Sequence, residues 1–115
     1  MSVTIYHNPR CSKSRETLAL LEAQGVNAQV IEYLNNPMSL ETLNELIQKL
    51  GFDSAHQLVR SKETLYKELG LSKETEESVL RQAMIDNPKL IERPVVVNQQ
   101  KAALGRPPES VLNIL

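Results

Sequence analysis

The chain has 115 residues, 41% of them hydrophobic and 23% charged, with a formal net charge of -1, enough for one ordinary core and so for a single domain over residues 1–115. Near-neutral charge without a long basic run argues against nucleic acid as a partner, and the lack of a bilayer-length apolar run argues against a membrane. One cysteine cannot close an internal disulfide, and no basic segment leads into a long apolar core at the N-terminus, so a cytoplasmic location is expected.

Residues 2–6, SVTIY, alternate polar and apolar and predict a short strand, which Asn8-Pro9 ends in a turn. From Ser12 the run SKSRETLALLEAQG predicts a helix with Leu18 and Leu21 on one face and Gly25 at its end. Residues 28–33, AQVIEY, predict a second strand, and strand, helix and strand in this order suggest a parallel βαβ unit. Ser39 is placed to cap a helix through Leu40, Leu43, Leu46, Ile47 and Leu50, stopped by Gly51. Short helical pieces are expected near SAHQLVR and TLYKELG, followed by a longer helix capped by Ser72, reaching about Ile85, with Val79, Leu80, Ala83 and Met84 as its inner stripe. Three valines after Arg93-Pro94 predict a buried strand, Asn98–Gln100 a turn, and Lys101–Leu104 a hairpin partner. Pro107-Pro108 opens a last helix with Val111, Leu112 and Leu115 turned inward. The order is β-α-β, a helical insertion over about 38–90, then β-β-α.

Cys11 follows the first strand by one tight turn and stands at a helix start, where unpaired N–H groups converge and the macrodipole favours negative charge. Between His7 and Arg15 the chain carries Arg10, Lys13 and Arg15 and no acid. Lowering a thiol pKa by about two takes roughly 2.7 kcal/mol, whereas a helix terminus supplies about 0.3–1 and at most about 2. A cation or hydroxyl must therefore help, and His7, Arg10, Ser14 and Arg15 are the local choices. Spacing sets aside two other uses of a cysteine. A phosphatase cradle needs arginine six positions on, where Thr17 stands, and a dithiol pair needs cysteine where Ser14 stands. A metal site is not expected, because His7 and Cys11 are an isolated pair and His56 is far along the chain.

Arg60, Arg93 and Arg106 stand out by context, the last two because a following proline restricts their backbone. The segments IYHNPRCSKSRETL, EYLNNP, LVRSKE, NPKLIERPVVV and GRPPE together resemble the glutaredoxin-coupled arsenate reductases over nearly the whole chain. The resemblance implies an α/β thioredoxin-like fold with a central helical insertion and a cis Pro94. It implies Cys11 as nucleophile, Arg60, Arg93 and Arg106 as oxyanion ligands, and His7 and Ser14 as residues that lower the thiol pKa. It implies no bound cofactor and names arsenate, glutathione and glutaredoxin as substrate and partners. In that chemistry the Cys11 thiolate attacks arsenic, glutathione displaces an oxygen, and electron transfer leaves Cys11 on trivalent arsenic. Hydrolysis then releases arsenite, and glutaredoxin reduces the mixed glutathione disulfide. Arg10 and SKS, where the best-known members carry smaller uncharged residues, and an end at Leu115 place the chain with a shorter subgroup.

Two alternatives share these features: a module resembling the Spx regulators, which bind RNA polymerase and typically carry C-x-x-C, and a monothiol oxidoreductase acting on glutathione mixed disulfides. The Cys-x-x-Ser spacing and the three arginines favour the reductase.

Overall fold

Val3 and Ile5 alternate with Thr4 and Tyr6 in β1 (Val3–Tyr6), so one face of the strand is fully buried. A computed structural model of the chain describes residues 3–115; Ser2, included in the strand expected from sequence, lies outside the described residues. β1 pairs in parallel with β2 (Gln29–Ile31), Ile5 opposite Val30. Parallel neighbours need a crossover, which α1 (Ser12–Ala23) supplies. On its other edge β1 runs antiparallel to β3 (Val95–Asn98), and β3 turns through Gln99 and Gln100 into antiparallel β4 (Lys101–Leu104). The strand order β2-β1-β3-β4 gives a mixed sheet, and the fold is α/β and thioredoxin-like.

Backbone contacts divide the chain into two units. The first runs to Asn36 and resumes at Arg93; the second is Pro37–Glu92. In the first unit Val3, Ile5, Leu21, Val96 and Val111 form the core, edged by Leu18, Leu20, Val26, Ala28, Ala103 and Ile114. Burying each large aliphatic side chain here is worth about 1.5–3 kcal/mol. The C-terminal segment Pro108–Ile114 is a 3₁₀ helix, whose residues three apart eclipse one another. Pro108 and Val111 are accordingly buried and Ile114 half-buried. Leu112 and Leu115, expected to face inward, are 39% and 40% exposed, because the tighter pitch removes the α-helical face that would have held them.

In the second unit α2 (Leu40–Lys49) starts where Ser39 Oγ accepts the Thr42 N–H at 3.1 Å and buries Leu43, Leu46 and Ile47. A 3₁₀ turn over Ala55–Gln57, a short α3 (Thr64–Glu68), α4 (Glu77–Asp86) and a second 3₁₀ turn over Pro88–Leu90 follow. Ser72 does not cap α4. Its Oγ accepts the Glu74 N–H at 3.2 Å and its N–H donates to Thr75 Oγ1 at 2.9 Å, closing a local turn. Such short polar side chains compete with helix formation, and α4 begins only after Glu76. Leu80 and Met84, one turn apart, carry its buried stripe, while Val79, expected among them, is 53% exposed; a neighbouring position on an α-helix is rotated about 100° away.

Glu77 ties this unit together. Its carboxylate accepts from Ser54 Oγ at 2.7 Å, Ala55 N at 2.5 Å and Arg81 Nε at 2.8 Å, and Arg81 Nη1 donates to Asn44 Oδ1 at 2.7 Å. Desolvation raises the Glu77 pKa, but the Ala55 N–H, the Ser54 hydroxyl and Arg81 outweigh it and hold the carboxyl below its ordinary value. A carboxyl lowered on folding stabilises the fold above the ordinary carboxylate range and loses that contribution as pH falls through the lowered value. The Glu77→Gln deficit, followed by urea unfolding, is therefore expected to be largest at neutral pH and to vanish in acid.

Gly105 is a second fixed point, in the first unit. A Cβ there would press into Thr17 Oγ1 and lie 2.8 Å from Pro94 Cγ, against atoms that belong to the packed interior. Gly105→Ala is expected to cost about 1–3 kcal/mol, read as a lowered urea midpoint.

Candidate active site

The β1–α1 loop is organised by Asn8. Its carbonyl accepts the Cys11 N–H at 3.0 Å, and its Oδ1 accepts the Arg10 N–H at 3.0 Å. Arg15 Nη1 donates to the Pro9 carbonyl at 2.8 Å, and the His7 N–H continues the parallel pairing by donating to Ile31 O at 2.8 Å. Read from sequence, Asn8-Pro9 predicts only a turn; an asparagine side chain reaching the backbone two residues on is the signal for its larger role.

Cys11 occupies the N-cap of α1 with extended backbone, φ -94° and ψ 123°, and no acidic residue stands in the first turn. The sulfur thus sits where a capping oxygen would accept N–H groups of the second and third helical residues. The side chain of Ser14 serves a different pair. Its Oγ accepts the Asn8 N–H at 3.0 Å and meets His7 Nδ1 at 2.7 Å. One hydrogen lies between the hydroxyl and Nδ1, and the tautomer of the imidazole decides which of the two donates it. Burial lowers the His7 pKa, Glu32 opposes that and Arg15 adds to it; the net shift is downward, and the ring stays uncharged at neutral pH. Ser14 therefore acts on the sulfur through its main-chain N–H, while its hydroxyl anchors the loop to His7.

Cys11 is 9% exposed. Desolvation raises its pKa, but the Ser14 N–H, the Arg93 charge, the Lys13 N–H and the Arg106 charge together hold it below the ordinary thiol value. The two arginines reach this place through the hairpin. Val95 pairs with Leu104, so residues 93–94 and 105–106 leave the sheet side by side, and the Gly105 N–H donates to Pro94 O at 2.9 Å. Arg106 Nη1 donates to the Arg93 carbonyl at 3.2 Å. The Arg93–Pro94 peptide is cis, and so is Arg106–Pro107, which nothing in the sequence reading anticipates. Arg93 Nε and Nη1 are buried and make no hydrogen bond to the protein among the described residues. Orphaned buried donors are costly and rare in folded proteins.

Cys11, His7, Ser14, Arg93, Pro94 and Arg106 all belong to the first unit. Arg60 belongs to the second, where Nη1 pairs with Glu63 at 3.0 Å, Nε with Glu92 at 3.3 Å, and its backbone N–H donates to Leu90 O at 2.7 Å. Lys13 pairs with Glu16 at 3.6 Å on the exposed face of α1. Among the described residues no group of three or more His, Cys, Asp or Glu side chains gathers to hold a metal ion, and no helix is long and apolar enough to cross a membrane.

The thiolate fraction sets alkylation rate, so iodoacetamide reaction is expected to rise with pH through a midpoint below that of a free thiol. Arg93→Gln, which removes a charge favouring the anion, is expected to move that midpoint up; a midpoint equal to that of a free peptide thiol in the parent protein would contradict the electrostatics described.

The sequence matches the ArsC family over residues 6–114. It is 57% identical over 114 residues to the Escherichia coli protein YfgD, described as uncharacterised, with 98% of this chain and 96% of that one covered. Against a Haemophilus influenzae protein named arsenate reductase it is 49% identical over 116 residues, covering 100% of both. The structure of an arsenate reductase from Vibrio cholerae superposes with a TM-score of 0.96 at 56% identity, covering 100% of this chain and 98% of that one. A match across nearly its whole length, carried by close relatives and by the same backbone, places this chain in the ArsC family.

Proposed function

We propose that this protein is a glutathione- and glutaredoxin-dependent arsenate reductase with Cys11 as nucleophile. The observation that carries the reading is the pair of unpartnered, buried Arg93 donors in the same unit as a thiol whose ionisation Arg93 itself favours. An oxyanion would supply the missing acceptors, and guanidinium groups suit it through charge-assisted hydrogen bonds. Arg106 adds a second cation acting on Cys11. Arg60 is assigned by resemblance as a third oxyanion ligand, with Glu63 and Glu92 holding its guanidinium. His7 and Ser14 support the thiolate by keeping the loop closed and the Ser14 N–H available.

The electron balance supports external thiols. Arsenate and two thiols give arsenite, one disulfide and water, and this chain contains a single cysteine. Cys11 Sγ forms a bond to arsenic as an oxygen leaves as water. The glutathione sulfur replaces a second oxygen, again lost as water, with arsenic still pentavalent. A glutaredoxin thiol then attacks the glutathione sulfur, and the arsenic keeps both electrons of the broken sulfur–arsenic bond. Hydrolysis of the remaining bond releases arsenite and regenerates Cys11. A reducing, cytoplasmic setting suits these partners.

Relatives named arsenate reductase at 40–49% identity over 98–100% of this chain add support for the substrate. Turnover of arsenate with glutathione and glutaredoxin tests it. Cys11→Ser is expected to abolish turnover, and Arg93→Ala to lower kcat/KM by about 10²–10³-fold, the range for losing an oxyanion donor. Arg60→Ala and Arg106→Ala are expected to raise KM for arsenate. A parent rate no faster than that of Cys11→Ser, or one independent of glutaredoxin, would overturn the assignment.

A further inference from the structure

The first unit holds a cleft of about 310 Å³ beside the β1–α1 loop, at the small end of the range for small-molecule sites. Its walls are His7, Asn8, Pro9 and Arg10 on the loop and Glu32, Leu34 and Asn35 after β2. Arg10 is the residue directly before Cys11, and consecutive Cα atoms are about 3.8 Å apart, so the cleft borders the loop that carries Cys11, although Cys11 itself does not line it.

Charge decides what fits. Arg10 and Glu32 are both exposed, and neither side chain makes a hydrogen bond or ion pair with another side chain among the described residues. One wall therefore presents a cation and the other an anion, neither held in an ion pair among the described residues, with Glu32 also acting on the neutral His7 ring. A doubly charged oxyanion would gain from Arg10 and lose to Glu32, and neither Arg93 nor Arg106 lines the cleft. A small molecule with a carboxylate at one end and an ammonium at the other satisfies both. Leu34 offers an apolar patch for a hydrocarbon stem, and Asn35 offers an amide for a peptide group.

We propose that this cleft binds the zwitterionic body of the thiol co-substrate, a glutathione-like peptide, with Arg10 taking a carboxylate and Glu32 the ammonium. Glutathione carries both groups, and a tripeptide extends about 10 Å, long enough for its thiol to pass from the cleft toward Cys11. There its sulfur replaces one arsenic-bound oxygen, which leaves as water; arsenic is not reduced in this step, and the electron pair moves only when the second thiol attacks that sulfur. The chemical step rests on the arsenate reading, whereas the binding does not.

S-methylglutathione, which cannot react, is the probe. Titrated into the parent protein and followed by amide NMR, it is expected to shift Asn8, Arg10, Glu32 and Asn35. Arg10→Ala and Glu32→Gln are each expected to weaken it by up to about fivefold, as for one exposed charge pair. Both positions are exposed, and an unchanged melting temperature confirms that each variant folds. In turnover the same variants are expected to raise KM for glutathione while KM for arsenate stays within about twofold. Shifts confined to other surfaces, no shifts, or unweakened binding in both folded variants would overturn the cleft. A protein that binds the probe here yet ignores arsenate would refute the reductase and leave the cleft standing.

Discussion

Everything at Cys11 depends on a few N–H groups at the start of α1 acting on a sulfur that burial would otherwise keep protonated. Desolvation is the largest influence on Cys11 and acts against the anion; the Ser14 and Lys13 amides and the Arg93 and Arg106 charges reverse it. The helix begins without a capping oxygen and without an acidic first turn, so no competing anion takes up the terminus. The sulfur stands at the capping position instead. That arrangement needs the loop to hold the sulfur in place, which is why the Ser14 hydroxyl matters although it is turned toward His7 and Asn8. One residue thus contributes its amide to the anion and its side chain to the frame.

The neutral state of His7 belongs to the same logic. A charged imidazole at this place would donate through Nδ1, and the Ser14 hydroxyl, already accepting from Asn8, would have to turn its proton elsewhere. Burial and Arg15 keep the ring neutral despite Glu32, so one hydrogen is shared between the serine oxygen and Nδ1 without a second charge beside the sulfur. His7 is therefore better described as a neutral ring that orients the loop through Ser14 than as a cation beside the sulfur.

Much of this was legible in the residues themselves. Alternation in β1, the Ser39 cap, the valine strand and its hairpin follow from local patterns that tertiary packing reinforces. The position of Cys11 at the start of α1, and the pull of its surroundings toward the thiolate, were legible too, from a lone cysteine between strand and helix among basic residues. What escaped depended on pitch or on partners distant in sequence. Leu112 and Leu115 are exposed because three residues per turn aims Pro108, Val111 and Ile114 inward instead. Ser72 looks like a cap, but its hydroxyl and amide close a turn with Glu74 and Thr75. The carboxylates beside Arg60 lie three and thirty-two positions along the chain, and only the first is visible as a local spacing. The division of labour within Ser14 could not be seen from spacing, because spacing does not say which of its groups faces the sulfur.

The hairpin shows how folding and chemistry oppose each other at one place. Its register brings residues 93–94 alongside 105–106, and the missing Cβ of Gly105 lets the two segments close against Thr17 on α1. Two guanidinium charges and the positive end of a helix thereby act on the same sulfur. Like charges held together and donors buried without acceptors both work against the folded state. A single thiolate offsets one positive charge. An oxyanion with two negative charges would offset more and give the Arg93 donors acceptors, so the same arrangement that weakens the empty fold favours the loaded one. Local destabilisation of this kind is what folded proteins carry where a rule of packing is broken for a functional purpose.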